Sequence, residues 1–92
     1  MIIQKNFFEN TIVEFITFDN IKGFFMLLTV IIPVYNAAKY LKHTIESVLN
    51  QSFSNLEVII VNDGSNDRSL EIARYYASID SRISIINIYL FL

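Results

Sequence analysis

From Leu27 onward the apolar positions fall into short blocks of two alternating kinds. Leu28-Thr29-Val30-Ile31-Ile32 is an unbroken apolar run closed by Pro33, and a proline, which has no N–H for a ladder, suits the end of a strand. Leu41, Ile45, Val48 and Leu49 then recur at helical spacing within residues 38–51, forming one stripe that faces a sheet. Asn36 stands where an N-cap is expected, with a side chain able to accept free amides of the first turn. Residues 51–55 read as a turn, and Leu56-Glu57-Val58-Ile59-Ile60-Val61 as a second, β-branched strand. After the loop of residues 62–67, Leu70, Ala73, Tyr76 and Ala77 mark the inner face of a helix over residues 68–78, begun by Asp67. Residues 82–87 read as a third strand. A β-α-β-α-β order with short connections predicts an α/β fold with a parallel sheet and right-handed crossovers.

Residues 1–25 lack such order. Ile12, Val13, Phe15, Ile16 and Phe18 fit neither a helical nor a strand period. Asp19-Asn20 and Gly23 punctuate the end of the segment. The chain therefore divides into an N-terminal extension of unclear structure, residues 1–25, and a domain over residues 26–92 that begins at Met26.

Composition narrows the chemistry. Hydrophobic residues make up 53% of the chain and charged residues 17%, so a domain this small is expected to leave apolar patches that pack on more protein or aggregate. The net charge is −2 and the seven basic residues are scattered, which argues against nucleic acid or an anionic membrane as partner. No cysteine is present, excluding disulfides, thiolate catalysis and Cys-based zinc sites. His43 is the single histidine, expected on the solvent face of its helix, and most His-dependent metal and triad chemistry is excluded with it. No basic flank precedes an apolar core near the N-terminus. The apolar stretch of residues 24–34 is interrupted by Thr29 and Pro33 and falls short of the roughly 20 residues of a membrane span. A cytoplasmic location is expected, with peripheral membrane association left open by the apolar residues 83–92.

The candidate site lies at the strand ends. Gly64 lets the chain turn sharply behind Asn62-Asp63, placing the Asp63 carboxylate at the carboxyl edge of a parallel strand, where open α/β sheets bind ligands. A dinucleotide site or a P-loop would need glycines in the first strand–helix turn. That turn, Pro33-Val34-Tyr35-Asn36-Ala37-Ala38, contains none. It offers instead the Tyr35 ring beside the Asp63 acceptor. This pairing suits a flat, hydrogen-bonding ligand such as a nucleobase, although Asp63 is also a residue type that caps local amides in turns.

Three motifs in order carry a resemblance: residues 29–36 (TVIIPVYN), Leu41 with residues 47–52 (SVLNQS), and residues 57–67 (EVIIVNDGSND). Together they closely resemble the start of family 2 glycosyltransferases, over about residues 27–88. The resemblance implies the N-terminal, Rossmann-like nucleotide-binding portion of a GT-A fold. It implies that Pro33, Val34 and Tyr35 border the base of a nucleotide sugar and that Asp63 hydrogen-bonds that base, usually uracil, with Asn62 and Gly64 completing the turn. Asn62 stands where the family often has Asp, keeping hydrogen bonding but losing a charge.

By the same resemblance the activity is transfer of a sugar from a UDP-type donor to an acceptor hydroxyl, in polysaccharide or glycoconjugate synthesis. A divalent manganese or magnesium ion is the expected cofactor. The Asp-x-Asp that holds it and the catalytic base are expected after a fourth strand. The present residues, about the first third of such a domain, are thus expected to carry no catalytic residue and no metal ligand. They would be inactive alone, with the remainder on another chain. The alternative is a non-catalytic nucleotide-binding or truncated fragment.

Overall fold

The computed structural model describes residues 2–8, 11–19, 26–52 and 55–88. Seven elements follow one another: β1 (Ile2–Phe8), β2 (Thr11–Asp19), β3 (Met26–Val34), α1 (Ala38–Leu49), β4 (Leu56–Asp63), α2 (Ser69–Ile79) and β5 (Ile83–Ile88). The five strands form one sheet in the order β1-β2-β3-β4-β5. β3, β4 and β5 are parallel neighbours, joined through α1 and α2. The β-α-β-α-β core read from the hydrophobic blocks is therefore present, with element ends shifted by one or two residues in most cases.

Residues 2–19 depart from expectation. A segment whose pattern fitted neither period forms an antiparallel hairpin, and β2 joins the edge of β3. Its Ile, Val, Phe and Thr are favourable strand residues, but the apolar positions come in adjacent pairs, so no period of two emerges.

Strands advancing steadily in one direction through right-handed crossovers place both connecting helices on one face of the sheet. Burial follows that geometry. Along β4, Leu56, Val58, Ile60 and Asn62 are buried, while Glu57, Ile59 and Val61 between them are half-buried. Val30, Ile32 and Val34 of β3 join them against Leu41, Ile45 and Val48 of α1 and Ala73 and Tyr76 of α2. The opposite face keeps Ile86 and Ile88 exposed among the described residues. Exposed apolar side chains on this face accord with the high hydrophobic fraction of the chain. No helix among the described residues is long and apolar enough to cross a membrane.

Polar links tie the helix layer together. The Tyr76 hydroxyl donates to Glu46 Oε2 across the α1–α2 interface at 3.0 Å. Burial and the neighbouring Glu46 carboxylate both raise the Tyr76 pKa. After α2, Asp80 accepts the Arg82 amide and is gripped by the Arg82 guanidinium at 2.8 Å. Those bonds hold its carboxyl below the usual value and fix the entry to β5. His43 is exposed on α1, as its position opposite the apolar stripe predicts.

Candidate functional site

Two loops meet at the carboxyl edge of the parallel strands. The β3–β4 register pairs Val34 with Asn62; Tyr35 directly follows the end of β3 and Asp63 ends β4, so both lie at this edge. Tyr35 is 63% exposed. Asp63 is exposed, and its carboxylate has no hydrogen-bond partner among the described residues. This edge therefore presents both a ring and a carboxylate to solvent.

Behind them the two loops lock each other. Asn36 adopts a left-handed backbone with φ of 47°, which asparagine tolerates better than most residues. Its amide donates to Ser65 Oγ at 2.9 Å, and its Oδ1 accepts the Asn66 amide at 2.7 Å. Gly64 supplies the matching turn with φ of 69° and open space around it.

The first turn of α1 is held from the second loop. Ala37 N–H donates to Ser69 Oγ at 2.9 Å, and Ala38 N–H to Asp67 Oδ2 at 3.0 Å. Asn36 thus does not cap α1, contrary to its sequence position; residues some thirty places later do. Asp67 Oδ1 also accepts the Ser69 amide at 2.9 Å, closing an Asx turn at the head of α2.

Asn36, Ser65, Asp67 and Ser69 are thereby engaged, and the exposed Asp63 carboxylate takes no part in the lock. Partial burial pushes the Asp67 carboxyl upward, but the Ser69 hydroxyl and amide and the Ala38 amide favour its charged form more, and its pKa lies below the usual value. A depressed carboxylate stabilises the fold above its unfolded pKa of about 3.9 and loses that contribution as pH falls through the folded value. Acid titration of unfolding midpoints should therefore show wild type losing more stability than Asp67→Asn between pH 5 and pH 2 (both about, by the carboxylate range). Parallel curves would remove Asp67 from the lock.

The other expected site residues divide by the alternation of the strands. Pro33 is exposed beside Tyr35. Val34 is 1% exposed and belongs to the core under the helices, so its side chain packs and only its backbone reaches the edge. Asn62 is 2% exposed; its Nδ2 donates to Asn87 Oδ1 at 2.9 Å, and its own Oδ1 is buried without a partner. Sequence reading missed Asn87, Ser69 and Asp67 as supports of the site. Nothing in the local pattern marks Asn87 or Ser69, and Asp67, expected only to begin the second helix, also holds the Ala38 amide 29 residues back.

The described residues contain no group of three His, Asp or Glu side chains placed to hold a metal ion. A groove of about 730 Å³ lies elsewhere, between α1 and α2, lined by Lys39, Lys42, Ile72, Tyr75 and Ile79 among others. It does not include Tyr35 or Asp63. At the strand ends the arrangement is an open shelf able to stack a flat ring and accept one N–H, not an enclosed pocket.

Comparison with known proteins matches residues 29–88 to the model of glycosyl transferase family 2. The glycosyltransferase GlyA of Streptococcus pneumoniae is 45% identical over 56 residues, covering 61% of this chain and 8% of that protein. The uncharacterized glycosyltransferase EpsJ of Bacillus subtilis is 46% identical over 61 residues, covering 66% and 18%. The uncharacterized glycosyltransferase YibD of Escherichia coli K12 is 54% identical over 50 residues, covering 54% and 14%. The chain spans less than a fifth of the length of each of these relatives.

Proposed function

The chain belongs to glycosyl transferase family 2, and on that premise we propose that the Tyr35–Asp63 shelf recognises the nucleobase of a UDP-type sugar donor. The observation that carries the reading is the free Asp63 carboxylate beside the exposed Tyr35 ring, while Asn36, Ser65, Asp67 and Ser69 are engaged with one another. Uracil stacks on the ring through its face and donates its imide N–H to the carboxylate. Pro33 and the Gly64 turn border it, and the Val34 and Asn62 backbones set the spacing.

The locked loops hold this geometry before the ligand arrives, so little ordering cost falls on binding. The proposed reaction of the full-length family fold is sugar transfer to an acceptor hydroxyl, with donor recognition as this chain's share. The expected manganese or magnesium ion would be held by residues of the full-length family fold outside the described ones, where it would offset charge on the departing diphosphate. The proposed compartment is the cytoplasm.

Calorimetric titration of UDP into the protein tests the assignment. A hydrogen bond to a charged acceptor contributes about 1.5–3 kcal/mol, so Asp63→Ala is expected to weaken UDP binding by roughly 10- to 150-fold. Because Asp63 is exposed and supports no other described group, its unfolding midpoint should stay at the wild-type value. UDP binding that is unchanged by Asp63→Ala would remove Asp63 from the site.

A further inference from the structure

Each of the two helices connects parallel strands, so α1 and α2 both run back from the carboxyl edge of the sheet and lie parallel on one face. The groove of about 730 Å³ between them opens away from the sheet. On α2, Ile72, Tyr75 and Ile79 stand at i, i+3 and i+7 and share one side of the helix. Tyr75 is 59% exposed and Ile79 61%, so most of this apolar ridge is left uncovered by the core beneath it. The Tyr75 ring meets Tyr76 edge-on, with centroids 5.3 Å apart, which steadies the ring and leaves it open to solvent.

The polar groups of the groove divide into engaged and available. Glu46 accepts the Tyr76 hydroxyl, and Glu71 is paired with Arg68 at 3.1 Å. Lys39 and Lys42 are exposed on the α1 wall at i and i+3, and neither takes an ion pair among the described residues. The Lys39 ammonium lies 5.6 Å from the centre of the Tyr40 ring. A polyhydroxylated ligand needs a donor or acceptor for each hydroxyl it buries, and most such groups here are bonded to one another. An amphipathic helix needs what remains, an apolar seam at helical spacing flanked by charge of the opposite sign.

We propose that the α1–α2 groove docks an acidic amphipathic helix of a partner protein, its apolar face on Ile72, Tyr75 and Ile79 and its carboxylates on Lys39 and Lys42. The Glu46 carboxylate, one turn beyond Lys42, gives the docking a direction. Acidic residues of the partner gather where α1 begins, where the helix dipole adds positive charge, and are repelled from the Glu46 end. No residue of the Tyr35–Asp63 shelf lines the groove, so the proposal stands apart from the nucleotide assignment.

The probe is a synthetic peptide of about 15 residues, long enough to hold helical turns, with leucines at helical spacing and glutamates beside them. Titrated into the full chain and followed by amide NMR shifts, it should give saturable changes at Lys39, Lys42, Ile72, Tyr75 and Ile79 and none at Tyr35 or Asp63. A scrambled peptide of the same composition, and one with lysines in place of the glutamates, should bind the wild-type chain on the order of tenfold more weakly or not at all. Ile79→Asp, at an exposed position, should weaken the glutamate peptide by about tenfold or more. Changing Lys39→Glu and Lys42→Glu together should reverse the preference and make the lysine peptide the tighter ligand. Equal binding of the scrambled peptide, an unreversed preference, or no saturable binding at all would overturn the proposal. Vesicles of phosphatidylcholine and phosphatidylglycerol form the last arm: shifts at these residues with vesicles and none with the peptide would also overturn it, assigning the groove to an anionic membrane surface. The three peptides are compared on the wild-type chain, so the result stands even if a variant fails to fold.

Discussion

Replacing Ile60 with alanine is expected to lower the unfolding free energy by about 3 kcal/mol, within the range for deleting a large buried aliphatic side chain. Ile60 is 0% exposed. It sits on the middle parallel strand, in register with Ile32 on one side and Ile85 on the other. Neighbours on both sides and helices above leave the site little freedom to collapse, so the cavity left by the missing atoms adds to the lost transfer free energy. For a chain of this length total stability is about 5–14 kcal/mol, and one such change removes a large share of it. Ile59, the next residue, points to the face without helices and is half-buried. Ile59→Ala should cost about 1 kcal/mol, since less apolar area leaves solvent there. Denaturant titration of both variants measures the contrast. Equal losses would contradict a core confined to one face of the sheet.

The second large effect is expected at a polar residue. Ser69→Ala should cost about 2 kcal/mol, because it strands a buried donor and does not merely delete a contact. Ser69 is 0% exposed, and its Oγ accepts the Ala37 amide where α1 begins. Without that oxygen the Ala37 N–H has no described acceptor in a position too buried for free hydration. The hydroxyl also favours the charged form of Asp67, which in turn holds the Ala38 amide. Thermal unfolding should report a midpoint lower by roughly 8–16 °C. The β3–α1 turn carrying Tyr35 is fastened through the same bonds, so UDP affinity should fall as well, by less than for Asp63→Ala. Ser69→Thr keeps the oxygen and should recover part of the loss. An unchanged midpoint in Ser69→Ala would mean that the two loops are not held by this bond.

The parallel core was readable because its chemistry is local. Unbroken β-branched runs, a four-and-seven-spaced stripe and short turns each specify one element, and right-handed crossovers then leave one arrangement for β3, α1, β4, α2 and β5. Asp63 was readable for the same reason, being a carboxylate fixed by a strand and a glycine turn adjacent in sequence. The lock between the loops was not. Asn36 has the composition of a helix cap, but its left-handed backbone turns its side chain toward Asn66, while Ser69 and Asp67 satisfy α1 from across the sheet edge. No local pattern encodes a partner thirty residues away.

Val34 and Asn62 illustrate a second reason. Both belong to motifs that touch the site, but the period of two in a strand turns every other side chain inward. Their side chains lie in the helix-covered core while Pro33 and Asp63 face out. The hairpin escaped for a third reason. Its residues favour strands individually, but the apolar pairs in β2 erase the alternation by which a strand is recognised.

The central claim is that Asp63 accepts the imide N–H of a uracil base, and it is tested most directly by the affinity ratio of UDP to N3-methyl-UDP. Methylation removes that one donor and keeps the ring and the diphosphate. The wild-type protein should bind UDP roughly 10-fold or more tightly than its N3-methyl form. In Asp63→Ala the ratio should fall to about 1, because the loss of acceptor and the loss of donor describe the same bond and do not add. Equal affinity of the wild-type protein for both ligands, or an undiminished ratio in Asp63→Ala, would contradict the account.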